Sequence, residues 1–442
     1  MAAERIPTAG HEESATEMAT YAPPPGTADI FEPESAEWRL LERTAAEIFS
    51  RCGYGELRTP VFEYTEVFQR GIGGETEVVQ KEMYTFNDRG GRSLTLRPEG
   101  TAGVMRALSN TDVMNGVEQR VYYMGPMFRG ERPAAGRRRQ FHQIGVENVG
   151  RCAPLLDAEC LAMLTAFLGE IGLGDAELVI NTRGTAADRP PAEAKLREYF
   201  AQHLDAMCPD CRTRFERNLW RILDCKVPEC VEIVKSAPAY LECFTSESVA
   251  YFDTVRRALD ALEVPYRVEP RLVRGLDYYV HTVFELTHPG LGAGTAIAGG
   301  GRYELYLPGQ NRPLPGVGFA AGVERLLLAR QSLGLAAAAS AAPDLYLVGL
   351  GENARLANLA LANRLRAAGL RIALELEERS FKAQLRSANR SGAPFALIRG
   401  EEELKRGIVV VKPMTENGGE QTEIPADKIE EFILSAIKGE KK

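Results

Sequence analysis

The sequence lacks the glycine-rich signatures that most often bind nucleotides. Its 442 residues contain no Gly-Lys dipeptide, and a P-loop requires that pair. The stretch "GLGAG" at 290–294 also fails the Gly-x-Gly-x-x-Gly pattern of dinucleotide-binding folds. P-loop and Rossmann-type nucleotide binding are therefore excluded, and any nucleotide site must be built from other groups.

The sequence also lacks long apolar runs and an excess of positive charge. No apolar stretch approaches the roughly 20 residues of a membrane span, and residues 1–26 contain no apolar core of a secretory signal. We therefore expect a cytoplasmic protein with no membrane partner and a disordered extension at 1–26. The net charge of −8 argues against indiscriminate binding of polyanions but permits a local basic site.

Charge and periodicity divide the rest of the chain. The part from position 343 onward carries a net charge of +1 and the first 342 residues carry −9, so the C-terminal part is better suited to approach nucleic acid. Alternating stretches predict antiparallel strands within 27–332, interrupted by a mainly helical insertion at about 190–262. A linker at 333–342 precedes strand and helix patterns that predict a βαβαβ-type α/β domain, with a mainly parallel sheet, at 343–442.

Three local patterns predict individual elements. Apolar residues from Trp38 to Cys52 recur at helical spacing behind a Ser35 cap. The stretch 83–98 has the pattern of a hairpin with its turn at 87–91, and 316–334 that of a strand followed by a helix.

The segment "MFRGERPAAGRRRQFHQIGVE" at 127–147 concentrates positive charge in an acidic chain. Five arginines fall within eleven positions: Arg129, Arg132, Arg137, Arg138 and Arg139. Arginine suits a phosphate because its planar guanidinium donates two parallel charge-assisted hydrogen bonds. A solvated basic loop is the alternative interpretation.

The residues that flank this loop alternate as two strands of a hairpin would. Period two places Phe141, Gln143, Gly145 and Glu147 on one face of the second strand. The same rule gives one face of the first strand to Tyr123, Gly125, Met127 and Arg129. Aromatic, amide, carboxylate and guanidinium groups beside glycines predict a platform for a ligand.

Four cysteines in the predicted insertion have a spacing close to that of structural zinc sites. Cys208, Cys211, Cys225 and Cys230 form the pattern C-x2-C-x13-C-x4-C. Four reduced thiols in a helical insertion are the alternative that we favour, so we expect no metal site although structural zinc stays possible.

Five segments, taken in order, resemble histidyl-tRNA synthetases of the bacterial type. They are "TLRPEGTA" (95–102), the arginine-rich 127–147, "VRGLDYY" (273–279), "AGGGRY" (298–303) and "GVGFAAGVERLLL" (316–328). The resemblance runs from about Thr27 to the C-terminus. It implies a class II α+β catalytic domain with an antiparallel sheet and a helical insertion, followed by a C-terminal α/β anticodon-binding domain.

The family motifs also imply a homodimer. The segment "GYGELRTPVFE", which contains Pro60, resembles the dimer-forming motif 1. The arginine-rich segment resembles motif 2 and "GVERLLL" motif 3. Two positions depart from the family pattern: Pro25 precedes Gly26 where relatives have Arg-Gly, and Gly130 stands where His is common.

The resemblance assigns an ATP site to the arginine-rich segment, with Mg²⁺ accompanying the nucleotide. Arg129 would hold the α-phosphate and the amino-acid carboxylate. Glu131 would contact the adenine amino group and Phe141 would stack on the base. Arg137 and Arg325 would contact the outer phosphates.

The resemblance likewise assigns a histidine site. Glu99, Gly100 and Thr101 would bind the α-amino group, and Gln143 the carboxylate side. The imidazole would lie between Glu147 and Tyr279, beside Tyr278 and Tyr303; two partners suit a ring with two nitrogen edges.

Catalysis is expected to depend on Arg274, Arg129 and Gln143. Arg274 also borders the histidine site, and its guanidinium would stabilise the charge that builds at the α-phosphorus. For the motif taken alone, an arginine paired with Asp277 is the commoner arrangement.

The sequence predicts a histidine–tRNA ligase whose substrates are histidine, ATP and histidine tRNA. In the C-terminal part, Lys382, Arg386 and Arg390 form one helical stripe. The resemblance to an anticodon-binding domain implies that this stripe contacts RNA phosphates, with a solvated helix face as the alternative. Three other functions stay open: the synthetase-like regulatory subunit of ATP phosphoribosyltransferase, a class II synthetase for proline, threonine or glycine, and a noncatalytic RNA-binding module.

Overall fold

The computed structural model of the chain describes residues 22–73, 76, 78–274, 278–291, 296–306, 312–335, 342–414 and 420–440, the last four without their side chains. The chain divides into two compact units, Met1–Ala336 and Ala337–Lys442. Residues 1–21 of the predicted extension 1–26 lie outside the described residues. The same is true of residues 336–341 of the predicted linker 333–342.

The first unit is built around one large sheet. Its strands are β1 (Gly55–Glu56), β2 (Phe62–Tyr64), β3 (Thr85–Asn87), β4 (Ser93–Leu96), β5 (Gln119–Phe128), β6 (Gln140–Val149), β7 (Glu177–Thr182), β8 (Arg267–Val268), β9 (Tyr279–Thr287), β10 (Ala296–Leu305) and β11 (Leu314–Gly322). The described residues form an eight-stranded sheet in the order β1-β5-β6-β11-β10-β9-β7-β8 and a small sheet β2-β4-β3. Pairing is antiparallel from β5 through β7, and only the outermost strands β1 and β8 pair in parallel.

Helices cover this sheet and build the insertion. They are α1 (Glu34–Arg51), α2 (Thr65–Ile72), α3 (Thr101–Leu108), α4 (Pro154–Glu170), α5 (Arg189–Ala201), α6 (Pro209–Arg217), α7 (Pro228–Lys235), α8 (Ser246–Ala261) and α9 (Val323–Ser332). Shorter 3₁₀ helices span Asp112–Asn115, Leu204–Ala206, Leu219–Asp224, Leu241–Cys243 and Pro289–Leu291, and a π-helical turn spans Val78–Glu82. Among the residues described, no helix combines the length and apolar character that crossing a bilayer requires.

The main core lies between one face of the large sheet and helices α1, α4, α8 and α9. Alternation along β6 sends Ile144 and Val146 into this core, where they meet Phe49 of α1 and Phe167 of α4. The opposite face of the same strand carries Gln143 and Glu147 between Phe141 and Val149, which belong to a second apolar cluster. One face therefore holds the unit together while the other is available for a site.

The predicted insertion has a core of its own. The stretch from α5 to the 3₁₀ helix Leu241–Cys243 consists of short helices, and its buried residues include Phe200, Phe215, Trp220 and Tyr240, whereas α8 packs in the main core. Val273, which directly precedes Arg274, is buried in the same cluster. The insertion thus packs against the segment that carries a predicted catalytic residue.

The second unit is an α/β domain. In chain order its elements are β12 (Leu345–Gly349), α10 (Glu352–Ala367), β13 (Ile372–Leu374), α11 (Phe381–Ser391), β14 (Phe395–Arg399), α12 (Glu401–Arg406), β15 (Ile408–Pro413), β16 (Thr422–Pro425) and α13 (Ile429–Glu440). The sheet order is β13-β12-β14-β15-β16. β12, β13 and β14 pair in parallel as predicted, but β15 and β16 are antiparallel, so the prediction of a mainly parallel sheet holds for the first half only.

Local predictions met mixed outcomes. The hairpin was confirmed, since β3 and β4 pair antiparallel around residues 88–92. The strand-to-helix prediction was also confirmed, since α9 begins directly after β11. The Ser35 cap was wrong: α1 begins at Glu34, its preceding residue is Pro33, and no side chain caps it. The N–H groups of Ser35 and Ala36 donate instead to the backbone carbonyl oxygens of Phe31 and Pro33, at 2.9 and 3.1 Å.

Candidate active site

A cavity opens on the polar face of the large sheet, over β6, β11, β10 and β9 and beside the start of α3. Its lining residues are Glu99, Thr101, Tyr123, Arg129, Gln143, Glu147, Arg274, Tyr278, Tyr279, Gly299, Tyr303, Gly318, Phe319 and Ala320. Every residue predicted to bind histidine is among them except Gly100. The structure therefore brings together residues that are spread over more than two hundred positions of the sequence.

The strand register explains how this face is assembled. On the β5–β6 hairpin, Met127 pairs with Phe141, Gly125 with Gln143, and Tyr123 with Gly145. Directly paired residues point to the same side of a sheet. The shared face predicted by alternation is therefore confirmed, and the neighbouring strand β11 continues it, since Gly318 pairs with Glu147.

Glu99 lies at the N-terminus of α3 and holds that end of the helix. Its carboxylate accepts hydrogen bonds from the backbone N–H groups of Thr101 and Ala102, both at 2.7 Å. The helix end stabilises negative charge there. Burial nevertheless raises the pKa of Glu99 above its usual value, so the carboxyl lacks full compensation for its lost hydration.

Glu147 is a second buried carboxyl in the same cavity. Thr101 Oγ1 donates to its Oε1 at 2.7 Å, and the Tyr303 hydroxyl donates to its Oε2 at 2.8 Å. Burial raises the pKa of Glu147 from 4.5 to about 8, with a contribution from the charge of Glu99, against the lowering effect of the two hydroxyls. Thr101 thus connects two acids whose charge a cationic ligand would compensate.

Glycines make room for these side chains. A Cβ added at Gly318 would overlap Glu147 Oε2 and the carbonyl oxygen of Val146, and one added at Gly299 would overlap the Arg274 guanidinium. The same is true of Gly316 under the Tyr303 ring. Functional side chains therefore lie across glycines of adjacent strands, an arrangement that larger residues would prevent.

Two polar atoms of the cavity are buried without a hydrogen-bond partner: Gln143 Oε1 and Arg274 Nε. Arg274 Nη1 contacts Glu285 Oε1 of β9, and Arg129 Nε donates to the carbonyl oxygen of Pro98 at 2.9 Å. Buried polar groups are normally satisfied in folded proteins. The unpaired atoms therefore indicate that a ligand completes the site.

The residues predicted to bind ATP lie next to the cavity, apart from Arg129, which lines it. Arg137 is 3.8 Å from Glu131, and Arg325 donates to the carbonyl oxygens of Gly136 and Ala296. Burial lowers the pKa of Arg325, and the charges of Arg137 and Arg129 lower it further. Three guanidinium groups close enough to affect one another suit a polyanion.

Phe141 lies beside Arg129. The guanidinium carbon of Arg129 lies 5.2 Å from the centre of the Phe141 ring, a cation–π distance. The ring therefore supports the arginine, and its stacking on a base stays a prediction.

Sequence reasoning did not single out Gly299, Gly318 or Glu285, and it placed Gly100 among the histidine-binding residues. Gly100 does not line the cavity, but a Cβ there would overlap the ring of Tyr123, which does line it. Gly299 and Gly318 stand in segments quoted as motifs, and glycine inside a strand is itself a signal of close approach. Glu285 occupies an ordinary position in the alternating pattern of β9, and no local motif marks it as a site residue.

Comparisons with known proteins agree with this geometry. The family model "Histidyl-tRNA synthetase" matches residues 26–326, and the model "Anticodon binding domain" matches 344–436. Histidine–tRNA ligase of Halothermothrix orenii is 47% identical over 412 residues, 92% of this chain and 98% of the relative. That of Pelotomaculum thermopropionicum is 44% identical over 420 residues, 95% of this chain and 98% of the relative.

A solved structure extends the comparison to three dimensions. The crystal structure of apo histidyl-tRNA synthetase from S. aureus aligns with a TM-score of 0.77 at 36% identity, covering 94% of this chain and 100% of that one. The class II catalytic fold with its antiparallel sheet, the C-terminal anticodon-binding domain and the near-complete coverage point to one conclusion. The chain belongs to the histidyl-tRNA synthetase family.

Proposed function

We propose that this chain is a histidine–tRNA ligase that activates histidine with ATP and transfers it to the 3′ end of histidine tRNA. The observation that carries the proposal is the buried Glu147, held by Thr101 and Tyr303 in a cavity that also contains Glu99 and Arg274. The two acids suit a small cationic ligand, and the guanidinium suits the carboxylate and phosphate that must react.

Histidine recognition uses both acids. Glu99 and Thr101 bind the α-ammonium group, and Glu147 accepts a hydrogen bond from one imidazole nitrogen while Tyr279 partners the other. Tyr278 and Tyr303 lie beside the ring; they contact each other edge to face, with ring centres 5.7 Å apart. A site that pairs both imidazole edges rejects apolar isosteres because its buried groups would be left unpaired, a discrimination of roughly 10⁴.

Adenylate formation follows from the groups beside the ring pocket. A carboxylate oxygen of histidine attacks the α-phosphorus, the bond to the bridging oxygen breaks, and pyrophosphate leaves. Arg129 and Gln143 orient the carboxylate and α-phosphate, and Arg274 stabilises the negative charge that grows on the phosphoryl oxygens. Arg137 and Arg325 hold the outer phosphates, with Glu131 and Phe141 at the base.

Magnesium fits the same region. Glu285 contacts Arg274, and its charge also affects Arg325, so a carboxylate oxygen stands among the predicted phosphate ligands. Mg²⁺ prefers oxygen ligands and commonly shares them between protein and substrate phosphates. Glu285 and the nucleotide's own oxygens would hold the ion, which would neutralise charge on the leaving pyrophosphate.

Residues 27–332 act as the catalytic domain in this proposal, and 343–442 bind the anticodon. On α11, Lys382, Arg386 and Arg390 are exposed on one face, which suits contact with tRNA phosphates.

Replacing all three with alanine should raise KM for tRNA about tenfold and weaken its salt dependence, while ATP–pyrophosphate exchange stays unchanged. The control is Lys405→Ala with Arg406→Ala, whose side chains pair with Glu402 and Glu423; equal loss in both variants would reject the assignment.

A homodimer in the cytoplasm completes the proposal. The motif 1 region borders an exposed apolar patch in which Phe62, Tyr64 and Phe86 are 48%, 45% and 44% exposed. Such a patch commonly marks a protein–protein interface. Sedimentation of the chain should give twice the monomer mass, and Phe62→Glu should give monomers.

ATP–pyrophosphate exchange with each of the twenty amino acids and magnesium tests the function. We expect exchange with histidine alone. Histidine binding without exchange would support the regulatory-subunit alternative, exchange with proline, threonine or glycine would support another class II specificity, and tRNA binding without either would support a noncatalytic module.

A further inference from the structure

The four cysteines of the insertion meet at one point. Cys208 precedes α6 and Cys211 lies in its first turn, Cys225 follows the 3₁₀ helix Leu219–Asp224, and Cys230 lies in the first turn of α7. Their four Sγ atoms all lie within 4.8 Å of one another. Three of the side chains are buried and that of Cys208 is half-buried, so three short elements direct sulfur into the interior of the insertion.

The size of this cluster matches a tetrahedral metal site. A zinc ion bonded to four thiolates at about 2.3 Å holds their sulfur atoms about 3.8 Å apart. Cys208 Sγ and Cys225 Sγ are 3.9 Å apart. All four cysteines are free of disulfides. Contraction of the cluster by less than about 1 Å would give the tetrahedral geometry.

Backbone N–H groups donate to two of the sulfur atoms in the cluster. The Cys211 N–H donates to Cys208 Sγ at 3.4 Å, and the Cys208 N–H donates to Cys230 Sγ at 3.2 Å. The N-terminal ends of α6 and α7, which stabilise negative charge, also point toward the cluster. Backbone donors to sulfur would offset the charge left when four thiolates surround a divalent cation.

We propose that Cys208, Cys211, Cys225 and Cys230 bind one structural Zn²⁺. Binding displaces the four thiol protons to solvent and forms four zinc–sulfur bonds, with no change of oxidation state. Reduced thiols were the favoured prediction, because the family that the sequence resembles does not depend on zinc, and spacing does not show whether four side chains on three helical elements converge. Their placement reverses that preference.

The insertion has reason to need a metal. Helices α6 and α7 have 9 and 8 residues, lengths that are marginal without tertiary support. Cys211, Cys225 and Cys230 belong to the small core that these helices share with Phe215 and Trp220. A zinc ion would cross-link α6, the 3₁₀ helix and α7, and its binding energy would stabilise the folded insertion.

Side-chain packing connects the proposed metal site with the segment that carries Arg274. The same small core includes Val273, beside Arg274. Asn181 of β7 donates to the hydroxyl of Tyr240, in the insertion, at 2.6 Å, and to the carbonyl oxygens of Pro270 and Leu272 at 3.1 and 3.0 Å. Loss of zinc should therefore loosen the segment that places Arg274, lowering kcat for adenylate formation more than it raises KM for histidine.

The first experiment is metal analysis of the untagged full-length chain, purified without chelators. We expect about one equivalent of zinc per chain. Cys211→Ser and Cys230→Ser should lose the zinc and make residues 190–262 sensitive to limited proteolysis. Cys243→Ser is the matched control, because Cys243 packs against the same core but lies outside the four-sulfur cluster; it should keep its zinc.

A second measurement on the wild-type chain guards against variants that fail to fold. Mercurial titration of the thiols should release zinc in step with the loss of four thiolates, and Co²⁺ added to the metal-free chain should give the visible absorption of tetrahedral thiolate coordination. Four freely titrating thiols without zinc, stoichiometric iron, or an intact mass showing disulfides would each overturn the proposal. None of these readouts depends on ligase activity, so the proposed function is tested separately.

Discussion

Two buried clusters of charge border the same large sheet and differ in how completely they are paired. In the first, Asp157 Oδ1 accepts hydrogen bonds from two nitrogens of Arg302, and its Oδ2 accepts from Tyr251 and Thr282. Arg302 also donates to the carbonyl oxygens of Arg151 and Ala153. Both side chains are fully buried. This cluster joins α4 to β10 and leaves nothing for a ligand to satisfy.

The second cluster is the cavity, and it is incomplete. The groups that donate to Glu147 are the neutral hydroxyls of Thr101 and Tyr303, and burial raises the pKa of both Glu147 and Glu99. Gln143 Oε1 and Arg274 Nε are buried without partners. Burial of charge alone therefore does not identify a site. The second cluster is distinguished because its unpaired atoms and its carboxyls of raised pKa line one cavity, where a ligand can supply the missing partners.

The largest effect should come from breaking the complete cluster. Asp157→Asn keeps the shape but removes the charge that compensates Arg302, so we expect a loss of about 3–5 kcal/mol in the free energy of unfolding. Urea unfolding measures it. The control is Glu177→Gln, which breaks the exposed Arg267–Glu177 pair and should cost less than about 1 kcal/mol. Similar losses in the two variants would contradict the distinction.

Removing a member of the incomplete cluster should affect chemistry instead of folding. We expect Arg274→Ala to lower the single-turnover rate of adenylate formation by about 10³ with little change in the unfolding midpoint, because Glu285, its partner, is partly exposed. Arg271→Ala is the control, since Arg271 lies on the same segment and pairs with Glu269. A near wild-type rate for Arg274→Ala would remove this arginine from the mechanism.

Filling the space beneath the incomplete cluster should lower the free energy of unfolding and also prevent histidine from binding. Gly318→Ala would place a Cβ against Glu147 and the Val146 carbonyl group, so we expect a loss of about 1–3 kcal/mol in unfolding free energy and no measurable histidine binding by calorimetry. Gly169→Ala is the control, because a Cβ there meets nothing within 4 Å. Histidine binding that survives Gly318→Ala would show that Glu147 does not contact the ligand.

The two clusters also differ in how far the sequence could predict them. Alternation along β6 was enough to place Gln143 and Glu147 on one face, because a strand has a fixed period. The pairing of Asp157 with Arg302 joins positions 145 residues apart, and no local pattern reports a contact of that kind. The antiparallel direction of β15 was missed for the same reason. The direction of a strand depends on how the chain connects it to the preceding strand, and the periodicity of apolar residues does not report that connection.

Glu147 provides the test with the smallest expected effect, because ionisation of its carboxyl should lower the free energy of unfolding in a defined pH range. Its pKa is raised from 4.5 to about 8, so the folded chain binds this proton more tightly than the unfolded chain. The contribution of protonated Glu147 to the free energy of unfolding is then fully present below the pKa of the unfolded state. It is lost as pH rises toward 8, by up to about 1.4 kcal/mol per pH unit.

Glu147→Gln removes that dependence, since glutamine is a neutral analogue of the protonated acid. We expect the variant to gain stability over the wild type as pH rises from about 5 to 8 in urea unfolding, and to lose histidine-dependent exchange. Glu177→Gln, at an exposed position, should show no such gain. If the two variants changed in parallel with pH, Glu147 would be an ordinary ionised carboxylate, and the contrast between a complete and an incomplete cluster would fail at its central residue.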